Sequence, residues 1–202
     1  MSTANPQFHN RSTDFGFSFV KIGFEDKEES LVHDISEQGL ELISRKRLVL
    51  PKRVVSYMYR DSLMEHFYPA MEQHLTRNPV TTQVWYGADG DTQQRLLDLK
   101  FGRNGRPNLR KKYQAPQGRS YSKEEIDLWY QLACADQDEM TIRLTQNNVF
   151  HTADSTEEAV TTIALLDVEV ENYFQDTDPD GKFMGKRGLL LSVLEQSRIL
   201  EV

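Results

Sequence analysis

The sequence predicts an α/β (α+β) sandwich on a split βαβ plan, in which a four-stranded antiparallel sheet carries an inserted helix and a C-terminal helical tail. Three observations predict it. Stretches with alternating apolar residues are separated by stretches with apolar residues at helical spacing, in the order β-α-β-(αα)-β-α-β-α. One βαβ unit falls on each side of a central helical pair, the connectivity of a ferredoxin-like sheet. The length of 202 residues suits one domain with additions, and 10 Phe, 8 Tyr and 2 Trp can fill its core.

Residues 15–22 (FGFSFVKI) alternate: Phe15, Phe17 and Phe19 share a face, and Lys21 falls on the same parity, so the strand ends in a cation. In EESLVHDISEQG, Leu31, Val32 and Ile35 form a helical stripe, and Gly39 stands where a C′ glycine belongs. Residues 40–50 alternate again and stop at Pro51. That proline suits the first position of a helix with an apolar face of Val54, Val55, Met58 and Leu63. Pro69 opens a second short helix, PAMEQHL. Asn78-Pro79 reads as a turn before the strand TTQVWYG, and GADGD as a tight link to the helix DTQQRLLDLKF.

Residues 122–139 read as a separate helix opened by a capping box of Ser122 with Glu125. The short strand NNVFH follows, and Ser155 with Glu158 caps a helix through Ala159, Ile163 and Leu166. RGLLLSVLEQSRIL ends the chain as an amphipathic helix that must pack on something. The expected organisation is a flexible lead at 1–14, a domain at 15–170 with an insertion at about 108–140, and an extension at 171–202.

Charge is segregated along the chain. The overall balance is 24 basic against 31 acidic residues, a net −7. Yet residues 103–119 carry six bases (Arg103, Arg106, Arg110, Lys111, Lys112, Arg119) and no acid, while 154–180 carry nine acids and no base. Glycines and prolines make the basic run a loop whose donors can converge on phosphate oxygens. Nucleic acid is the lesser expectation for it, because a lone aromatic, Tyr113, does not make an aromatic-interleaved stacking platform. The single cysteine, Cys134, excludes an internal disulfide and a cysteine-built zinc site, and its flanking alanines suit a small buried side chain. The polar start has no signal-peptide core and no apolar run approaches spanning length, so a soluble, cytoplasmic protein without membrane contact is expected. Asp176 to Gly181 resembles the opening of a calcium loop, but Arg187 stands where the closing glutamate belongs.

Of the five histidines (His9, His33, His66, His74, His151), none forms an HxH or HExxH pair, so no resident metal is expected. His151 differs by context: it ends an apolar strand and precedes a helix start, where phosphate oxygens sit favourably. A neutral imidazole there is a competent nucleophile near pH 7.

Read with its neighbours, Asn148-Val149-Phe150-His151-Thr152-Ala153-Asp154-Ser155 resembles the Asn-x-x-His-Gly-Ser-Asp-Ser signature of nucleoside-diphosphate kinases. FSFVKI resembles that family's first strand, which ends in a phosphate-binding lysine, here Lys21. Tyr59 precedes Phe67 by eight residues, the family's spacing of a structural tyrosine and its base-stacking phenylalanine, and Arg95 follows Gly87 by eight, its spacing to a phosphate-binding arginine. The resemblance spans roughly residues 15 to 165. It implies that His151 accepts the γ-phosphate of a nucleoside triphosphate and passes it to a nucleoside diphosphate through a phosphohistidine. Lys21 and Arg95 would hold phosphate, Asn148 the sugar and Phe67 the base, Tyr59 would orient the histidine's surroundings, and Mg²⁺ would arrive with the nucleotide. Homo-oligomerisation is implied as well.

The chain departs from the pattern at several points. Thr152 and Ala153 replace the glycine and serine after the histidine, and the acid expected eleven residues after it falls on Thr162, which predicts a less firmly oriented imidazole. Lys21-Ile22-Gly23 replaces Lys-Pro-Asp. The arginine loop is rebuilt: Arg119 and Arg143 both stand as candidates, and Asn104 as the stand-in for its threonine. These departures leave two readings, a divergent kinase and a nucleotide-binding regulatory module without turnover.

Overall fold

In the computed structural model, which describes residues 11–65, 68–113, 149–174 and 184–199, four strands form one sheet. Strands β1 (Phe15–Val20), β2 (Glu41–Val49), β3 (Pro79–Tyr86) and β4 (Phe150–Thr152) lie in the order β2-β3-β1-β4, with every pairing antiparallel. Helix α1 (Glu28–Ser36) links β1 to β2, α2 (Lys52–Met58) and α3 (Tyr68–Leu75) link β2 to β3, and α4 (Thr92–Phe101) and α5 (Leu109–Lys112) follow β3. Helices α6 (Thr156–Glu169) and α7 (Met184–Ile199) follow β4. The two βαβ units therefore interleave as the alternation predicts.

Parity assigns the faces. Phe15, Phe17 and Phe19 are fully buried in one cluster with Val54 and Val55 of α2, Met71 of α3, Ile163 of α6 and Leu190 of α7. Val20, Trp85 and Phe150 pack on the opposite face with Leu31 and Ile35 of α1 and Leu96 and Leu99 of α4. Helices thus cover both faces, and truncating any of these buried phenylalanines to alanine would cost about 3–5 kcal/mol. The C-terminal helix finds its packing partner here through Leu190 and Val193.

Helix α4 rides close on β1. A Cβ at Gly16 would lie 2.8 Å from Leu96 Cδ1 and 3.0 Å from Thr92 Cγ2, so only glycine lets the helix approach this far. From that helix the buried Gln93 reaches into the sheet: its Oε1 accepts from the Phe17 N–H at 2.8 Å and its Nε2 donates to the Ala153 carbonyl. Gln93 thereby extends the β1–β4 ladder by one side chain, just beyond where β4 ends. Ser18 does similar service inside the sheet, accepting from Trp85 Nε1 and donating to Gln83 Oε1, each at 2.9 Å.

Several boundaries differ from the sequence expectation. Pro51 is the N-cap of α2 with an extended ψ of 143°, not its first helical residue, and the helix stops at Met58. Leu63 therefore lies beyond it, 46% exposed. The basic stretch is not loop throughout. Asn108, whose side chain accepts from the Lys111 N–H, starts the single helical turn α5. Residues 11–14 form a 3-10 turn, and the Asp14 carbonyl accepts from the Gly87 N–H and from Thr92 Oγ1. Strand β2 shifts register between Leu42 and Ser44. The expected helix at 122–139, Cys134 and the calcium-like stretch at 176–181 lie outside the described residues.

Candidate functional site

His151 lies on β4, the short edge strand, opposite Phe19 of β1 in the antiparallel register. Partners across a ladder point to one face, and the two rings stack at 5.0 Å and 23°. Tyr59, in the turn that ends α2, places its hydroxyl 3.2 Å from His151 Nδ1. Phenol and phenyl ring together set the imidazole plane. The sequence expectation of a loosely oriented ring is therefore corrected: orientation comes from two aromatic neighbours, in place of the acid that Thr162 replaces. Among the described residues, buried Thr162 has no partner for its hydroxyl and no carboxylate hydrogen-bonds the ring. One turn earlier on α6, Glu158 is 4% exposed. Burial and Asp154 raise its pKa, and its charged partner is Arg60 at 3.7 Å.

The segment after the histidine is held by backbone. The Ala153 N–H donates to the Phe17 carbonyl at 3.3 Å, and Ser155 caps α6 by accepting from the Glu158 N–H at 3.1 Å, as the capping box predicts. Ala153 is fully buried and supplies no hydroxyl.

Three cations converge on the imidazole. Burial comes first, then Lys100, Lys21 and Arg110, and together they hold His151 well below the usual histidine range. The ring is 8% exposed, and its Nε2 is buried without a hydrogen-bond partner among the described residues. At neutral pH it is therefore an uncharged imidazole, with a lone pair on one nitrogen, inside a positive field. The cations feel one another. Half-buried Lys21, one residue past β1 and tied there by its N–H to the Val149 carbonyl at 2.9 Å, is lowered to about 7 by burial, Arg110 and Lys100. Lys100 falls to about 8 through burial and Arg110, with Asp154 opposing the shift. Arg110 falls to about 10, chiefly by burial, and its Nε is buried without a partner among the described residues.

Two of these cations were not among the sequence candidates. Lys100 lies near the end of the predicted helix DTQQRLLDLKF, where the sequence pattern gives it no role. Arg110 belongs to the basic run but was passed over for Arg119 and Arg143. Its signal was the whole run, since Leu109 beside it is fully buried and anchors the turn against the sheet. An aromatic partner for the run also exists outside it: Phe101, at the end of α4, has Lys100, Arg103 and Arg110 within 4.7–5.2 Å of its ring centroid.

Other candidates are placed elsewhere. Arg95 lies five residues before Lys100 on α4, about 7.5 Å along the axis. It donates through Nη2 to the Gln38 carbonyl, beside Gly39 and Gly87, and is not brought to His151. Asn104, left-handed at φ 52°, is exposed and donates to Asp98 Oδ2 at 2.7 Å, a contact that secures the turn after α4. Lys21, Tyr59 and His151 are brought together. Phe67, Arg119, Arg143 and Asn148 lie outside the described residues.

Chemically, the assembly is an oriented, neutral imidazole in a pocket of positive charge. Such a site suits an anionic electrophile. Among the described residues no group of three or more His, Cys, Asp or Glu side chains could hold a metal ion. No described helix is long and apolar enough to cross a membrane.

No family model matches the chain. Among solved structures it is similar to the Aquifex aeolicus nucleoside diphosphate kinase, at 13% identity and a TM-score of 0.49, with 76% of this chain and 94% of that one covered. It is also similar to the nucleoside diphosphate kinase of Encephalitozoon cuniculi, at 19% identity and a TM-score of 0.47, with 75% and 87% covered.

Proposed function

We propose that the chain is a nucleoside-diphosphate kinase-like phosphotransferase, moving the γ-phosphate of a nucleoside triphosphate to a nucleoside diphosphate through a phosphohistidine at His151. One observation carries this reading: the buried imidazole is held in plane by Tyr59 and Phe19, where burial and the charges of Lys100, Lys21 and Arg110 favour its neutral form. Phosphoryl transfer needs an in-line nucleophile and charge neutralisation on the migrating group, and these residues are of the right kind for both. The motif around His151 and the strand-end Lys21 support the same reading.

In the forward step, a ring nitrogen lone pair of His151 forms the N–P bond as the bond from the γ-phosphorus to the bridging oxygen breaks, and the nucleoside diphosphate leaves with that oxygen. The cations hold the charge spreading over the phosphoryl oxygens. Tyr59 keeps the ring aimed. Transfer to a second diphosphate reverses these events. Magnesium enters as part of the nucleotide substrate, because the cationic residues around His151 would repel a bare divalent ion.

The test is incubation of the full chain with γ-labelled ATP and magnesium. The proposal expects acid-labile, alkali-stable label that is lost in His151→Ala. A second reading, a nucleotide-binding regulatory module, is favoured by Thr162 standing where the acid is expected and by the placement of Arg95 on the Gln38 carbonyl. Calorimetric binding of MgADP with no label on wild-type protein would establish that reading and remove the first.

A further inference from the structure

Lys100 is a buried cation whose hydrogen-bonding contacts are long. It is 4% exposed, near the C-terminal end of α4, and its Nζ lies 3.5 Å from the Thr152 carbonyl and 3.6 Å from Asp154 Oδ1. Both distances are at the outer limit of a hydrogen bond, so neither contact holds the ammonium firmly. Asp154 is itself a wet partner, its side chain 73% exposed, which weakens the attraction. An ammonium desolvated this far is expected to find close acceptors, because burying a charge without them is costly. Among the described residues Lys100 instead has these loose contacts and the Phe101 ring at 5.0 Å, and it sits where its charge bears on His151 more than that of either other cation.

We infer that Lys100 is a phosphate-binding residue that exchanges its contacts with Asp154 and Thr152 for a phosphoryl oxygen next to His151. The inference rests on the phosphotransfer reading and deepens it. It assigns Lys100 a role that the motif comparison did not, and gives Asp154 the part of a competing anion. The groups facing the ammonium are consistent with such an exchange. Arg110 on α5, Lys21 beyond β1 and His151 on β4 supply positive charge or none, and Asp154 and Glu158 flank it from the start of α6. Binding an anion beside a lysine lowered to about 8 draws a proton onto it, so ligand binding at pH 8 takes up protons.

Titration calorimetry with two probes, MgADP and inorganic pyrophosphate, tests this on wild type, Lys100→Met, Lys100→Arg and Asp154→Asn. Loss of one charge-assisted bond predicts that Lys100→Met weakens both probes by about tenfold or more. Lys100→Arg should recover most of that loss, and Asp154→Asn should tighten both probes by removing the competitor. Repeating the titrations at pH 8 in buffers of different ionisation enthalpy should show proton uptake by wild type and less by Lys100→Met. Lys100→Met is not expected to lower the thermal midpoint without ligand; should it fail to fold, Lys100→Arg and Asp154→Asn decide the matter. Wild-type affinity in Lys100→Met, or Asp154→Asn weakening both probes, overturns the inference. Wild type binding neither probe overturns it together with the phosphotransfer reading. Binding that depends on Lys100, with no label on His151, upholds the inference and overturns phosphotransfer alone.

Discussion

The two edges of the sheet are both basic, and they handle the charge in opposite ways. On β2, Arg45 meets Glu28 at 3.6 Å and Glu29 at 2.6 Å, and Arg47 meets Glu25 at 3.5 Å. Glu25 and Glu29, from the turn before α1 and from α1 itself, meet these arginines in solvent, while Glu28 is more enclosed, its side chain 14% exposed. On the β4 edge, Lys21, Lys100 and Arg110 crowd around a histidine and one another, and all are shifted downward. Charge that is neutralised in solvent makes a soluble edge. Charge that is desolvated and crowded by like charge is held against a repulsion that an arriving anion relieves. Composition alone does not separate the two; the surroundings do.

The contrast can be broken from the β4 side. Arg110→Met removes one of the converging cations and should weaken MgADP by about 10- to 100-fold, read by calorimetry. Gln93→Ala strips the partner from the Phe17 N–H and the Ala153 carbonyl, both buried. A stability loss of about 2 kcal/mol is expected in urea titration, with label on His151 falling in parallel as the segment after it loosens.

The pH dependence has a definite sign. Lys21 near 7 and Lys100 near 8 lose their charge as pH rises, and a bound anion raises both values. Affinity should therefore fall between pH 7 and about 9, while His151, already neutral, contributes no loss of nucleophile between pH 8 and 6.5. His74 on α3 is lowered by burial and then by Lys21, and losing its own charge with rising pH acts in the same direction as the lysines. Calorimetry across that range checks it; affinity rising with pH would refute the assignment of these lysines.

Smaller effects sharpen the comparison. Tyr59→Phe keeps the ring contact with the imidazole but removes the hydroxyl at Nδ1, and should lower the labelling rate by about the worth of one hydrogen bond, ~1 kcal/mol, without changing MgADP affinity. Arg95→Met should leave MgADP affinity unchanged and lower stability by about 1 kcal/mol, because its bond to the Gln38 carbonyl is structural. At the β2 edge, Arg45→Met should change stability by under about 1 kcal/mol and leave labelling intact. A large binding loss in that variant would erase the distinction between the two edges.

What could be read from the chain follows what is local. Period-two spacing placed Phe15, Phe17 and Phe19 on one face, since a strand's pleat is a property of consecutive residues. Ser155 and Glu158 marked the start of α6 for the same reason, and the strand end before that cap singled out His151. Counting along the chain failed for the arginines. Arg95 has the family's spacing from Gly87, yet a helix spreads its residues around and along an axis, and Gly16 lets this one settle so that Lys100 reaches the end of β4 while Arg95 reaches Gln38. Arg110 was hidden because a run of similar charges gives no sign of which member a buried neighbour such as Leu109 will turn inward.

Strands, the start of α6, the order of the sheet and the histidine with its strand-end lysine thus followed from residue spacing and turn chemistry, which act over a few residues. Which cations share the histidine's surroundings, how its ring is oriented without the expected acid, and why one basic edge is inert while the other is poised for an anion arose from packing. Those properties depend on distances between segments up to 130 residues apart, from Lys21 to His151, and on how much water the fold leaves between them.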